Sequence, residues 1–162
     1  YMGYNYYPNS ERYLESDGMG GHRNVSLVDV HPAALDMQRL LEEAYARLQI
    51  PLAISEVHVI GSERERARWM LQRFADVQAV RERGVDVRAF GAWAAFGMVD
   101  WTSLLCRNDG CVEDGVYTCV PGDQVPRATM VADVVRALAK GIVPAMPSEA
   151  GWWERGTDAA VA

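Results

Sequence analysis

Two periodicities of apolar residues alternate along this chain. Residues 1–7, Tyr-Met-Gly-Tyr-Asn-Tyr-Tyr, read as a short aromatic strand closed by Pro8 and Asn9. From Ala33 to about Leu48 the apolar positions Leu40, Leu41, Ala44, Tyr45 and Leu48 have helical spacing, and Pro32 suits the first turn. After Ile50-Pro51, the run Leu52–Glu56 reads as a buried strand. Ser62-Glu-Arg-Glu65 then forms a capping box, in which a hydroxyl takes an orphan N–H and Glu65 reaches back. The helix it opens runs to about Glu82, with a stripe of Ala67, Met70, Leu71, Phe74, Val77 and Ala79, and Gly84 fits its exit. Val85–Trp93 is the next strand, and Pro126-Arg-Ala-Thr leads into a helix from Met130 to Lys140 that Gly141 ends.

Strands alternating with helices predict an α/β fold built of parallel βαβ units with right-handed crossovers. Two architectures fit that order: a doubly wound sheet, or part of a (β/α)8 barrel. No Gly-x-Gly-x-x-Gly follows a strand, so a dinucleotide-binding version of the first has no support. Three units are too few to close a barrel, which takes eight. Residues 8–32, polar and glycine-rich, are expected to form a long surface loop. Residues 144–162, with Trp152-Trp153 as their bulky content, are expected to be a flexible tail or linker after a domain over 1–143.

Composition narrows the partners. The 162 residues are 49% hydrophobic, enough for one core, and carry a net charge of −6 with no run of Lys or Arg. Nucleic acid and anionic membrane surfaces are therefore not expected as partners. No apolar run approaches the roughly 18–20 residues of a membrane span, and no signal peptide is visible. The chain opens on Tyr1 rather than Met, and reads as a segment of something longer. Cys106, Cys111 and Cys119 match no zinc spacing, so neither metal nor cofactor is expected, and three thiols point to a reducing, cytoplasmic setting.

Ligands of both architectures bind at the C-terminal ends of the strands. The ends here carry Asn5-Tyr6-Tyr7, Ser55-Glu56-Val57-His58, and Trp93 followed by Asp100-Trp101. Carboxylates, an amide, phenols and indoles together suit a sugar. Each has a plainer account alone: a loop ion pair for Glu56, core packing for Trp93 and one of the two tyrosines, a turn cap for Asp100, a hydrogen-bonded structural role for His58.

The spacing of these residues resembles the C-terminal part of the family 1 glycoside hydrolases, the retaining β-glycosidases of the β-glucosidase type. That family's Gly-x-Asn-Tyr-Tyr is matched by Gly3-Tyr4-Asn5-Tyr6-Tyr7. Its Ile-Thr-Glu-Asn-Gly is matched by Ile54-Ser55-Glu56-Val57-His58. Its eighth strand, Gly-Val-x-Val-x-Gly-Tyr-x-x-Trp-Ser, is matched by residues 84–94, and its Phe-Glu-Trp by Val99-Asp100-Trp101. Arg107 and Gly110 loosely echo the Arg-Phe-Gly that follows. The helix at 130–140 and the Gly-Trp-Trp tail resemble members in which the barrel leads into a sugar-nucleotide reductase domain.

The resemblance implies about strands 6 to 8 of a (β/α)8 TIM barrel, incomplete on its own. It implies Glu56 as the nucleophile and Tyr7 as the phenol bonded to it. Asn5 would be a nearby amide, Trp93 a stacking platform, and Asp100 and Trp101 binders of sugar hydroxyls. The partners implied are a β-glycoside or related small sugar and the missing N-terminal half of the barrel. Val57-His58 in place of Asn-Gly, and Asp100 in place of Glu, mark a divergent branch. The family's acid/base lies in an Asn-Glu-Pro that this sequence lacks, so the chain is expected to be inactive unaided. Two alternatives stay open: a non-catalytic carbohydrate-binding or regulatory remnant, and a self-sufficient α/β protein with no glycoside role.

Overall fold

The computed structural model describes residues 1–103, 106–119 and 125–155; the last seven residues of the expected tail lie outside these. In chain order the strands and helices are β1 (Met2–Tyr6), β2 (Arg12–Ser16), β3 (His22–Ser26), α1 (Leu27–Val30), α2 (Met37–Leu48), β4 (Leu52–Val57), α3 (Glu63–Glu82) and β5 (Val87–Phe90). They continue as β6 (Met98–Val99), β7 (Val112–Glu113), β8 (Tyr117–Thr118), β9 (Arg127–Ala128) and α4 (Met130–Leu138). Short 3-10 turns occupy Pro32–Ala34, Trp101–Ser103 and Trp152–Glu154.

The centre is a parallel sheet of order β1-β4-β5. Its helix-facing side is apolar: Leu52, Ile54 and Val57 are almost fully buried against Ala67, Met70, Leu71, Val77 and Val80 of α3. The opposite face carries small or polar residues, Gly3, Asn5, Ala53, Ser55 and Ala89, and is largely open. Among the described residues β1 and β5 each have a single sheet neighbour, so both edges of the sheet are open.

Helix α3 starts where the sequence places it, because both halves of the capping box form: Glu65 N–H donates to Ser62 Oγ at 3.3 Å and Ser62 N–H to Glu65 Oε2 at 2.9 Å. Its buried arc is wider than one stripe, since Trp69 and Arg66 are also buried. Helix α2 is shorter than expected. Pro32 opens a 3-10 turn instead, and Asp36 caps the helix by accepting from Arg39 N–H at 3.0 Å. The strand expected over 85–93 is hydrogen-bonded as a strand only from Val87 to Phe90, with Trp93 beyond its end.

Two expectations need correcting. Residues 8–32 are no open loop: β2 and β3 pair antiparallel, and Asp17 Oδ1 accepts from the Met19 and Gly21 amides at 2.8 Å each to close the tip. The buried Glu11 ties this hairpin down, accepting from Tyr6 Oη at 2.7 Å and Asp36 N–H at 2.6 Å. Nor do residues 147–155 form a flexible tail. Trp153 is 5% exposed, edge-on to Trp69 at 5.0 Å, and its Nε1 donates to Gln72 at 3.0 Å. Glu154 accepts from Arg68 through Nε at 2.5 Å and Nη2 at 2.8 Å. The segment is a strap across α3, with a buried indole as its pin.

Candidate active site

Glu56 owes its position to one extra residue in β4. The register runs Tyr4 opposite Ile54, then Asn5 opposite Glu56, so Ser55 has no partner in β1 and forms a bulge. Strict alternation after Leu52 and Ile54 would send Glu56 toward the helices. The bulge instead leaves Glu56 half-exposed and turns Val57, 2% exposed, into the core. Ser55 Oγ satisfies the disturbed ladder by donating to the Tyr4 carbonyl at 3.1 Å and lies 2.8 Å from Asn5 Oδ1. Gly91 runs so close to the Ser55 carbonyl that an added Cβ would meet it at 2.7 Å.

Tyr6 and Tyr7 divide between the two faces. Tyr6 is buried and stacks on Trp69 at 5.7 Å, whereas Tyr7 turns to the open side, where its hydroxyl donates to Glu56 Oε2. A turn orients Tyr7, with its N–H donating to Ser10 Oγ at 2.8 Å and the Ser10 N–H to its carbonyl at 3.0 Å. Burial, then the bond to Glu56, pushes the Tyr7 phenol far above its ordinary range, so it stays a proton donor to that carboxylate.

A cleft of about 580 Å³ opens over these strand ends. Asn5, Tyr7, Glu56 and His58 line it from the sheet, and Trp101, Glu113 and Trp152 wall it. Asn5, Tyr7, Glu56 and Trp101 are thus brought together. Trp93 and Asp100 are placed otherwise. Trp93 is 7% exposed, stacked on Trp101 at 5.7 Å and tilted against His58 at 4.6 Å, so it backs the cleft from within the protein. Asp100, also 7% exposed and left-handed at φ 57°, accepts from the Gly110 and Cys111 amides at 3.2 and 2.8 Å. Its carboxylate closes the loop from 100 to 111 and does not line the cleft.

Sequence reading missed Glu113 and Trp152 and gave His58 only a structural role. His58 Nε2 lies 2.8 Å from Glu113 Oε1, with both side chains buried. Burial lowers the proton affinity of His58, against the opposing pull of Glu113 and with Arg66 adding to the depression. Trp152 reaches the cleft because its Nε1 donates to the Ile60 carbonyl at 2.8 Å while Trp153 anchors the strap. The signal for Trp152 was the paired tryptophan in an otherwise light tail. Glu113 had none, on a two-residue strand 55 positions from His58. A larger groove of about 730 Å³ lies by Pro32–Leu35 and Arg73, away from every strand-end carboxylate. No group of three or more His, Cys, Asp or Glu among the described residues could hold a metal ion. No described helix is long and apolar enough to cross a membrane.

No family model matches the sequence, and no curated protein matches it. Solved structures do. A β-glucosidase from Exiguobacterium marinum superposes with a TM-score of 0.62 at 14% identity, over 86% of this chain and 34% of that one. The family 1 β-glucosidase from Thermotoga maritima, in complex with isofagomine lactam, gives 0.60 at 13% identity over 85% and 34%. The β-glycosidase from Thermosphaera aggregans gives 0.57 at 20% identity over 71% and 23%. The chain has a glycoside hydrolase-like fold and spans about a quarter to a third of the length of these structures.

Proposed function

We propose that this chain is the C-terminal portion, about strands 6 to 8, of a (β/α)8 barrel that acts on β-glycosides with retention. Glu56 is the nucleophile, attacking the anomeric carbon to form a glycosyl-enzyme intermediate that water then hydrolyses. Tyr7 holds the carboxylate in line through its phenol, and Asn5 and Trp101 bind the sugar beside it. Retaining hydrolysis needs a second carboxyl about 5–5.5 Å from the first as acid and then base. That group is assigned to the N-terminal part of the barrel, which would also cover the small-residue face of β1, β4 and β5 and pair their open edges.

The observation that carries this reading is the Tyr7–Glu56 hydrogen bond across the C-terminal ends of two neighbouring parallel strands. Its test is hydrolysis of a panel of aryl β-glycosides by the full-length protein and by Glu56→Gln. Turnover that Glu56→Gln abolishes, with covalent labelling of Glu56 by a 2-fluoro β-glycoside, supports it; full activity in the variant overturns it. A second reading, a non-catalytic carbohydrate binder, draws on the engagement of Asp100 by two backbone amides and the burial of Trp93. Sugar binding that depends on Trp101, with no turnover of any glycoside, would favour that reading.

A further inference from the structure

Asp100 was expected to supply the cleft's second carboxylate, but the loop amides hold it. Glu113 takes that place on the wall. The chain delivers it there by a chain of close contacts. Met98 of β6 pairs with Glu113, and Gly97 passes so tightly against the Glu113 carbonyl that no side chain would fit. The buried Arg66 of α3 donates to the Asp114 carbonyl next door at 2.6 Å. His58 binds the carboxyl itself at 2.8 Å and is backed by the Trp93 ring at 4.6 Å. A side chain only 8% exposed is thus fixed from three sides and still lines the cavity that holds Glu56 and Tyr7.

We propose that Glu113, positioned by His58, is a substrate-binding residue of this cleft that accepts hydrogen bonds from hydroxyls of a neutral sugar and selects against acidic sugars. This rests on the reading of the cleft as a glycoside site. A carboxyl group pre-oriented by a neighbour binds hydroxyls without the entropy cost of a mobile side chain. Indoles at Trp101 and Trp152 give the apolar C–H faces of a pyranose ring their complement. Three carboxyl groups, Asp29, Glu56 and Glu113, line the same cavity, and among the described residues no Arg or Lys lines it. A uronic acid or a sugar phosphate would bring a further negative charge among them without a cation to meet it, whereas a hydroxyl meets an acceptor. The Glu113 charge also bears on the Tyr7 phenol, raising its pKa, which ties the two sides of the cavity together.

The test is calorimetric titration of the full-length protein with the methyl β-glycosides of glucose, galactose, mannose and fucose, the monodeoxy forms of whichever binds, and methyl β-glucuronide. The wild-type protein should bind a neutral glycoside at least ten-fold more tightly than the glucuronide. Equal affinity would overturn the proposal with no variant needed. Glu113→Gln should weaken the neutral glycoside roughly 10–100-fold, the range of a hydrogen bond to a charged group. It should also narrow the gap to the glucuronide. One monodeoxy sugar should lose nothing further in Glu113→Gln, because the bond is already gone; losses that simply add for every hydroxyl would reduce Glu113 to a structural role. Glu113→Asp, which keeps the charge and withdraws the group, should keep the discrimination against glucuronide while losing neutral affinity. Trp101→Ala and Glu56→Gln separate the two readings. Sugar binding that neither alters overturns the glycoside site and this inference together; binding that both alter but Glu113→Gln does not overturns this inference alone.

Discussion

Replacing Trp153 with Ala removes the pin of the strap. A buried indole contributes on the order of 150–250 Å² of burial, which at about 25 cal/mol per Å² corresponds to roughly 4–6 kcal/mol as a ceiling. The Nε1 bond to Gln72 adds about 1 kcal/mol. Strap and core separate without leaving a sealed cavity, however, because the remaining ties are short-range and partly exposed. They include Glu154 to Arg68 and Gln72, Arg68 to the Pro147 carbonyl, Arg155 and the Trp152 amide to Glu65, and Trp152 to the Ile60 carbonyl. Pairs of that exposure contribute at most about 1 kcal/mol each. Once the indole is gone the strap lifts, and the loss is its docking energy, about 2–4 kcal/mol. Urea unfolding of the full-length protein measures the loss, and amide hydrogen exchange over residues 147–155 reports the lifting. The Glu154 amide, now bonded to the Gly151 carbonyl at 2.9 Å, should become unprotected first. Sugar affinity should fall as well, since Trp152 leaves the cleft with the strap. A destabilisation below about 1 kcal/mol with unchanged exchange at Trp152–Glu154 would refute the strap as a fixed element.

Three further outcomes are expected. Tyr7→Phe removes the phenol donor to Glu56 and should cut aryl β-glycoside turnover by roughly 10–100-fold with little change in urea midpoint; unchanged kcat would remove Tyr7 from the mechanism. The hydrogen bonds of Arg68 pull the Glu154 carboxyl from 4.5 down to about 2, so its contribution is complete above pH 4.5 and is lost as pH falls toward 2. With solvent screening that contribution is about 1 kcal/mol, and exchange at the strap should rise over that window in the wild type but show no such step in Glu154→Gln. Burial holds His58 below the ordinary imidazole range while Glu113 pulls the other way, so NMR titration should find it neutral at pH 6.5 and still harder to protonate in Glu113→Gln. Because the unfolded chain takes up that proton first, this group destabilises the fold as pH drops below 6.5; a His58 that titrates at or above 6.5 would contradict the assignment.

The parts of the fold that follow from local chemistry were readable from residues alone. The capping box placed the start of α3, and the apolar Leu52-Ala53-Ile54 run placed β4, because both signals act within a few residues. The β2–β3 hairpin escaped because it lies on the surface with polar residues on both faces and its apolar Leu14 is 70% exposed, so no period-2 pattern appears. Trp153 escaped for a related reason: a single buried side chain in a one-turn 3-10 segment has no periodicity to announce it. At the site, Asn5, Tyr7, Glu56 and Trp101 share short motifs at strand ends and could be gathered in advance. Which way Asp100 faces could not, since that depends on the amides of residues 110 and 111 returning across a loop. Glu113 needed the same return.

The bulge at Ser55 makes the orientation of Glu56 a matter of counting rather than of chemistry. Any small residue at 55 keeps the extra step, so the side chain there is free to drift. Pairing Ser55 in the ladder instead of bulging it would shift the phase of the strand. Glu56 would then turn into the layer where Leu52 and Ile54 meet α3, an unpaired charge in a dry setting. Val57 would swing to the open face in exchange. The place of the Glu56 carboxylate and the packing of the core are therefore set by one register: substitutions can tune the cleft, but loss of the bulge in β4 moves Glu56 and Val57 together.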